Sequence, residues 1–169
     1  MRLLDKLYAA GAALAAIFMV IIALLTLSQV IGRSIGLLIP DAGDLAGYAM
    51  AAATFLALAH TFRSGGHIRV NLLLERLPPR SRRLAECWCL SALAAVGACF
   101  AAFSIKLVMD SYAFGDVSTG MMPVPLWIPQ VSMALGALLL EIAVVEELVR
   151  VARGAHPRYE DAEGEAFTE

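Results

Sequence analysis

Three long segments of the chain carry no formally charged residue, and the first of them, between Lys6 and Arg33, runs for 26 residues; a fourth apolar segment carries Glu141 in its interior. Crossing the hydrocarbon of a bilayer takes about 20 apolar residues. The composition agrees, since 60% of residues are hydrophobic and 17% charged, against roughly 45–50% and about 25% in soluble domains. The sequence therefore predicts an integral membrane protein. It argues against a soluble enzyme, a disordered chain and a nucleic-acid binder.

The fold class predicted from these segments is an all-α integral membrane protein with four transmembrane helices. The predicted spans cover residues 8–31, 45–62, 85–112 and 128–151. The first is too long for the apolar core of a signal peptide and lacks a convincing cleavage site, so we expect it to remain as a helix. Residues 1–155 then form the membrane domain, and residues 156–169 form an acidic cytoplasmic tail.

The basic residues are distributed unevenly between the two ends of the predicted spans. The N-terminus, the second loop and the tail hold 11 of the 13, which leaves only Arg33 and Lys106 for the other side. Because positively charged loops stay in the cytoplasm, we predict that both termini are cytoplasmic. Trp88 then falls at the inner boundary and Trp127 at the outer one, where amphipathic rings are favoured.

The second loop has the pattern of a short amphipathic helix. Its apolar residues repeat at intervals of three and four, the period of one helix face: Val70, Leu73, Leu74 and Leu77. We predict a helix lying in the plane of the inner interface between spans two and three; a plain connector is the alternative. The predicted anchors to anionic lipid and to the interface are Arg69, Arg80, Arg82, Arg83, Trp88 and Trp127.

Residues able to carry chemistry are few. Cys87, Cys89 and Cys99 are interpreted as small packing residues, because no further metal ligands or second cysteine pair match them in depth. No phosphate-binding loop, nucleophile elbow or zinc-protease motif is present. We therefore expect no enzyme activity, no cofactor and no metal.

Glu141 is the one carboxylate predicted deep within a span, about 13 Å from Arg150 along a helix that rises 1.5 Å per residue. Ionisable groups at this depth are costly. Either Glu141 carries protons or cations, or it hydrogen-bonds a neighbouring helix, with His60 as a possible partner. We favour the structural role.

Two motifs between the spans resemble those of a known family, the DctQ-like small membrane subunit of TRAP (tripartite ATP-independent periplasmic) transporters. They are Gly65-Gly66-His67-Ile68-Arg69-Val70-Asn71-Leu72-Leu73 after the second span and Pro123-x-Pro125-x-Trp127-x-Pro129-Gln130 at the start of the fourth. With the order of four spans, the resemblance extends from about Arg2 to Arg153.

This resemblance implies uptake of organic acids across the bacterial inner membrane, driven by a sodium or proton gradient. A periplasmic solute-binding protein would deliver the solute, and a large membrane subunit, the obligate partner, would carry the solute and ion sites. The small subunit would brace the large one and help to dock the binding protein. The alternatives are a self-sufficient four-helix proton-coupled transporter using Glu141, or the membrane anchor of a respiratory enzyme, for which haem or quinone ligands are missing.

The two outer loops are the predicted docking surface. On this side of the membrane there are four acidic residues, Asp41, Asp44, Asp110 and Asp116, and two basic ones, Arg33 and Lys106. Because the surface is then net negative, we expect a partner with basic residues. Prolines stiffen the third loop, because each ring fixes φ and removes a donor. The predicted docking residues are Asp41, Asp44, Asp116, Pro123, Pro125 and Trp127.

Overall fold

Four α-helices dominate the computed structural model, which describes residues 3–37, 39–64 and 78–154. They are α1 (Leu3–Ser34), α2 (Ala42–Arg63), α3 (Pro79–Phe114) and α4 (Trp127–Ala152). Each is long and apolar enough to cross a membrane, so the predicted four-helix fold is confirmed. Every helix runs past its predicted span at both ends. The predicted in-plane helix and the acidic tail fall on residues 65–77 and 156–169, which lie outside the described residues.

Successive helices run in opposite directions, so the assembly has two distinct ends. Side chains from the start of α1 and α3 bond with the end of α2 and α4, respectively. We call this the terminal end, because α1 begins there and α4 ends there. The opposite end carries the connections at residues 35–41 and 115–126, which also contact each other, and we call it the loop end.

The helices form an open arrangement with α2 and α4 at its centre. The extensive contacts are α1 with α2, α2 with α4, and α4 with α3. The most apolar 18-residue windows of α2 and α4 are 33% and 28% buried, whereas those of α1 and α3 are each 11% buried. Helices α1 and α3 are therefore flanking helices whose apolar side chains remain mostly uncovered within this chain.

The assembly is closed at the terminal end and grooved toward the loop end. All four helices contribute to a buried core in the terminal half, formed by Tyr8, Ala59, Phe62, Leu90, Ala143, Val144 and Val151. In the loop half, a groove of about 370 Å³ separates α1, α2 and α4. A second groove, of about 540 Å³, lies between α3 and α4.

Two glycines allow the backbone of α2 to be approached from both sides. A Cβ at Gly11 of α1 would lie 3.0 Å from the carbonyl oxygen of Leu56. A Cβ at Gly136 of α4 would overlap the carbonyl group of Phe55. Consecutive residues of α2 are thus held between its two neighbours, and this is the close approach that drives helix association in lipid.

Each flanking helix buries one narrow stripe along its length. On α1, buried or half-buried residues recur at alternating intervals of four and three: Leu4, Tyr8, Gly11, Ala15, Phe18, Ile22, Leu25, Gln29 and Gly32. On α3 the stripe comprises Glu86, Leu90, Ala94, Gly97, Ala101, Ser104, Val108 and Ser111. This repeat of about 3.5 residues is the geometry of a coiled-coil seam.

We predict that Gly136→Ala lowers the free energy of unfolding by about 1–3 kcal/mol, the range for overpacking, because the backbone of Phe55 cannot rotate away from the added methyl. Gly47→Ala is the matched control, since nothing lies within 4 Å of the new Cβ. It should leave stability unchanged or raise it slightly. Unfolding in SDS, followed by circular dichroism, measures both. Equal effects would contradict a close contact at Gly136.

Candidate functional site

The terminal end is held together by a cluster around Arg63. Its guanidinium lies 2.7 Å from a carboxylate oxygen of Asp5 and 4.6 Å above the ring of Tyr8. An ion pair and a cation–π contact therefore join the last turn of α2 to the first turns of α1. Both partners of the ion pair are partly buried, which reduces screening by salt.

Arg83 closes the end of α4. Its Nε donates to the carbonyl oxygen of Val151 at 3.2 Å, and its Nη2 donates to that of Ala152. These are carbonyl groups that a helix leaves unpaired at its C-terminus, where a cation is also favoured by the helix dipole. Arg83 thus fastens the start of α3 to the end of α4.

The predicted lipid anchors have varied surroundings in the structure. Arg82 donates to the buried Glu86 at 3.1 Å, and Trp88 is 76% exposed on α3. Arg69 and the side chain of Arg80 lie outside the described residues. Their anchoring to lipid stays a prediction.

Glu141 lies against α3 at its glycine. The carboxylate oxygen Oε2 occupies the space that a Cβ at Gly97 would need. This oxygen is buried and has no hydrogen-bond partner within the described chain. His60 is exposed on α2, and no hydrogen bond between His60 and Glu141 is present among the described residues.

Two further buried carboxylates lie at the terminal end, and neither is among the site residues predicted from the sequence. Glu86 and Glu147 are 7% and 6% exposed, and both have partners. The sequence signal for the Glu86 pair is the Arg four residues before it, since that spacing places the two side chains together on a helix.

Of the cysteines, Cys87 is half-buried and Cys89 and Cys99 are exposed. The described residues contain no group of three potential metal ligands.

At the loop end, residues 116–126 form a small ordered hairpin. Backbone hydrogen bonds of 2.9 Å run from Ser118 N–H to the carbonyl of Val124 and from Leu126 N–H to that of Asp116. The hydroxyl of Ser118 also accepts from Val124 N–H at 3.0 Å. Pro123 and Pro125 flank Val124, in the returning strand of this hairpin.

Asp41 fastens this hairpin to the start of α2. Its φ of 55° is left-handed, a conformation that aspartate tolerates better than most residues. It stands at the N-cap of α2 but makes no side-chain cap there. Instead its carboxylate accepts the N–H of Met122 and lies beside Gly120, 2.8 Å from where a Cβ would be.

The other predicted docking residues surround this contact. Asp44 is exposed in the first turn of α2, and Asp116 accepts a 3.1 Å hydrogen bond from the hydroxyl of Ser111. Trp127 packs edge-on against Tyr112, with ring centroids 5.8 Å apart. The structure thus brings the two loops together at Asp41 and Met122; docking by these residues stays a prediction.

Residues 22–154 match the family model for tripartite ATP-independent periplasmic transporters, DctQ component. The chain belongs to the DctQ family. This is a family of transporter components rather than of enzymes, and with four membrane-crossing helices the chain is a multi-pass membrane protein. No curated protein matches the chain.

The matched region of the DctQ family member contains most of the contacts described above. It includes the approach of Gly136 to α2, the Glu141–Gly97 contact and the whole loop end. Asp5, Tyr8 and Gly11 precede it. The part of α1 before residue 22 is tied to the matched region by the Arg63 cluster and by the approach of Gly11 to Leu56.

We predict that Asp41→Ala raises the hydrogen-exchange rate of the Met122 amide by at least about tenfold, since a hydrogen bond to a charged group contributes about 1.5–3 kcal/mol. Asp41→Asn should have a smaller effect, because it keeps an acceptor and tolerates the left-handed backbone. Exchange in residues 116–126, read by mass spectrometry, measures the change. Asp44→Ala is the control on the same face and should leave that exchange unaltered; an equal rise there would contradict the specific contact.

Proposed function

We propose that this chain is the non-catalytic small permease subunit of a secondary-active, ion-gradient-driven uptake system for organic acids. It braces the large transport subunit in the bacterial inner membrane and helps to dock the periplasmic binding protein. Its terminal end faces the cytoplasm and its loop end faces the periplasm, as the distribution of Lys and Arg predicts.

The uneven burial of the helices carries this proposal. The flanking helices α1 and α3 are each only 11% buried over their most apolar windows, and they expose large side chains along their length. An open assembly of this kind offers broad apolar faces to a second membrane subunit, while its own core and terminal clusters hold the four helices in place. These are the properties of a scaffold.

The surroundings of Glu141 also favour a supporting role. A carboxylate that exchanges ions must be reached by them, yet Oε2 is buried against the glycine of α3. The close approach positions α3 on α4. Glu141 is accordingly a structural residue in this proposal.

The loop end supports docking by its order and its chemistry. The hairpin is fixed by its own backbone bonds and by Asp41, so little entropy is lost when a partner binds it. At its tip Met121 is 84% exposed, and Asp44 and Asp116 are also exposed at the loop end. An apolar tip with acidic neighbours suits a water-soluble partner that presents basic residues.

We predict that the chain alone catalyses no uptake in proteoliposomes, and that uptake of radiolabelled organic acids requires the large subunit and the binding protein. Glu141→Gln in the full system should keep ion-coupled uptake within about twofold, a barrier change under about 0.5 kcal/mol. The substitution retains size and hydrogen-bonding capacity while removing the charge. Uptake by the chain alone would instead identify a self-sufficient transporter. Loss of coupling in an intact Glu141→Gln complex would give Glu141 a direct role.

We predict that Asp44→Lys raises the concentration of binding protein needed for half-maximal uptake by about threefold to tenfold, because an exposed ion pair contributes up to about 1 kcal/mol and reversal replaces attraction by repulsion. The effect should shrink as salt is added. Asp44 is preferred to Asp41 because Asp41 also holds the hairpin. Ser81→Lys, at the opposite end, is the control. Unchanged half-saturation for Asp44→Lys, with the complex assembled, would remove this face from the docking surface.

A further inference from the structure

The groove between α3 and α4 is lined by both apolar and charged side chains. It lies in the loop half and measures about 540 Å³, many times the share of about 30 Å³ that one water occupies in the liquid. Its lining includes Phe100, Phe103, Lys106, Leu107, Asp110 and Met133. A space of this size beside the hydrocarbon must be filled by a neighbouring molecule.

The lining changes character in one direction along α3. Phe100 and Phe103 come first, Lys106 follows, and Asp110 lies about 6 Å farther toward the loop end at 1.5 Å per residue. The Tyr112–Trp127 ring pair follows about 3 Å beyond Asp110, and such rings favour the membrane interface. Going outward, the groove thus presents aromatic surface, then a cation, then an anion.

Neither charge is satisfied within the described chain. Lys106 and Asp110 are both exposed, and no ion pair or hydrogen bond is formed by either side chain among the described residues. Although they are four residues apart, the order of cation before anion is the weaker one for pairing along a helix. Both groups lie close to the membrane interface, where charged lipid headgroups are present, so they favour a ligand with complementary charges.

We propose that this groove binds one phospholipid with a zwitterionic, primary-amine headgroup from the leaflet at the loop end. Lys106 extends outward along its aliphatic stem and binds the phosphate. Asp110 accepts hydrogen bonds from the ammonium group, and an acyl chain lies along Phe100, Phe103 and Leu107. The order of groups in such a lipid, from chain to phosphate to amine, is the order of the lining.

An anionic headgroup without an amine fits this groove less well, because its phosphate would bind Lys106 while its outer part would meet the carboxylate of Asp110. A transmembrane helix of the large subunit is the other possible occupant. It would need an anion and a cation at matching depths, whereas the lipid supplies both charges in one headgroup. Lipid binding requires only that the helices span a membrane, whereas its test in the complex rests on the large subunit of the function proposed above.

The test is native mass spectrometry of the chain together with its large subunit, released from vesicles of equal parts phosphatidylethanolamine, phosphatidylglycerol and phosphatidylcholine. We expect retained phosphatidylethanolamine to exceed phosphatidylglycerol at least threefold. Lys106→Gln should reduce retention of both about tenfold, equivalent to 1.4 kcal/mol. Asp110→Asn should abolish the preference for phosphatidylethanolamine while phosphatidylglycerol is retained.

The double variant Lys106→Asp/Asp110→Lys keeps both charges and reverses their order, so it should lose the preference although its composition is unchanged. Arg33→Gln, which removes a cation outside the groove, should leave retention as in the wild type. Three results would overturn the proposal. They are no preference in the wild type, a preference that survives in the double variant, and, when the isolated chain is measured in the same way, lipid bound by the isolated chain but not by the complex. The last would assign the groove to a helix of the large subunit.

Discussion

Close backbone approach at the middle of α2 is the contact on which the rest of the helix arrangement depends. In lipid, an apolar side chain gains little by leaving one hydrocarbon surface for another, so packing distance replaces hydrophobic burial as the determinant. Gly11 brings α1 onto Leu56 and Gly136 brings α4 onto Phe55. With α2 fixed from both sides, α3 needs only α4 as its support, along the single stripe that includes Gly97. This explains a chain of contacts rather than a closed bundle.

Polar contacts then determine how the two ends differ. At the terminal end, Arg63 joins α1 to α2 and Arg83 joins α3 to α4, around a core to which all four helices contribute. At the loop end, the helices are joined through their connections, by the bond from Met122 N–H to Asp41. The two grooves lie in this half.

The sequence was sufficient for the helices but not for their arrangement. Long segments with little or no charge in their interior located all four, because charge is costly in hydrocarbon. The neighbours of each helix could not be predicted. On α1, for example, the buried and the lipid-facing residues are both apolar, so hydrophobicity does not show which face packs against another helix. Gly47 and Gly136 look alike in the sequence, yet the Cβ position is open at the first and occupied at the second. Likewise, the sequence alone suggests that Asp41 is an ordinary surface residue. Its positive φ and its hydrogen bond to Met122, 81 residues away, cannot be inferred from the neighbouring residues.

Several charged residues that are bonded within the chain lie at the terminal end, and several that could bind other molecules lie toward the loop end. Around the terminal end, Asp5, Arg63, Arg83 and Glu86 are bonded within the chain, so their binding capacity is used to position helices. Toward the loop end, Asp44, Lys106 and Asp110 form no bond within the described chain. A charged side chain that is unpaired at an interface can still bind a ligand, provided that the backbone carrying it is held in place. Here the hairpin and the packed stripe between α3 and α4 hold it. A scaffold built in this way can hold its own helices at one end while other molecules, lipid or protein, bind at the other.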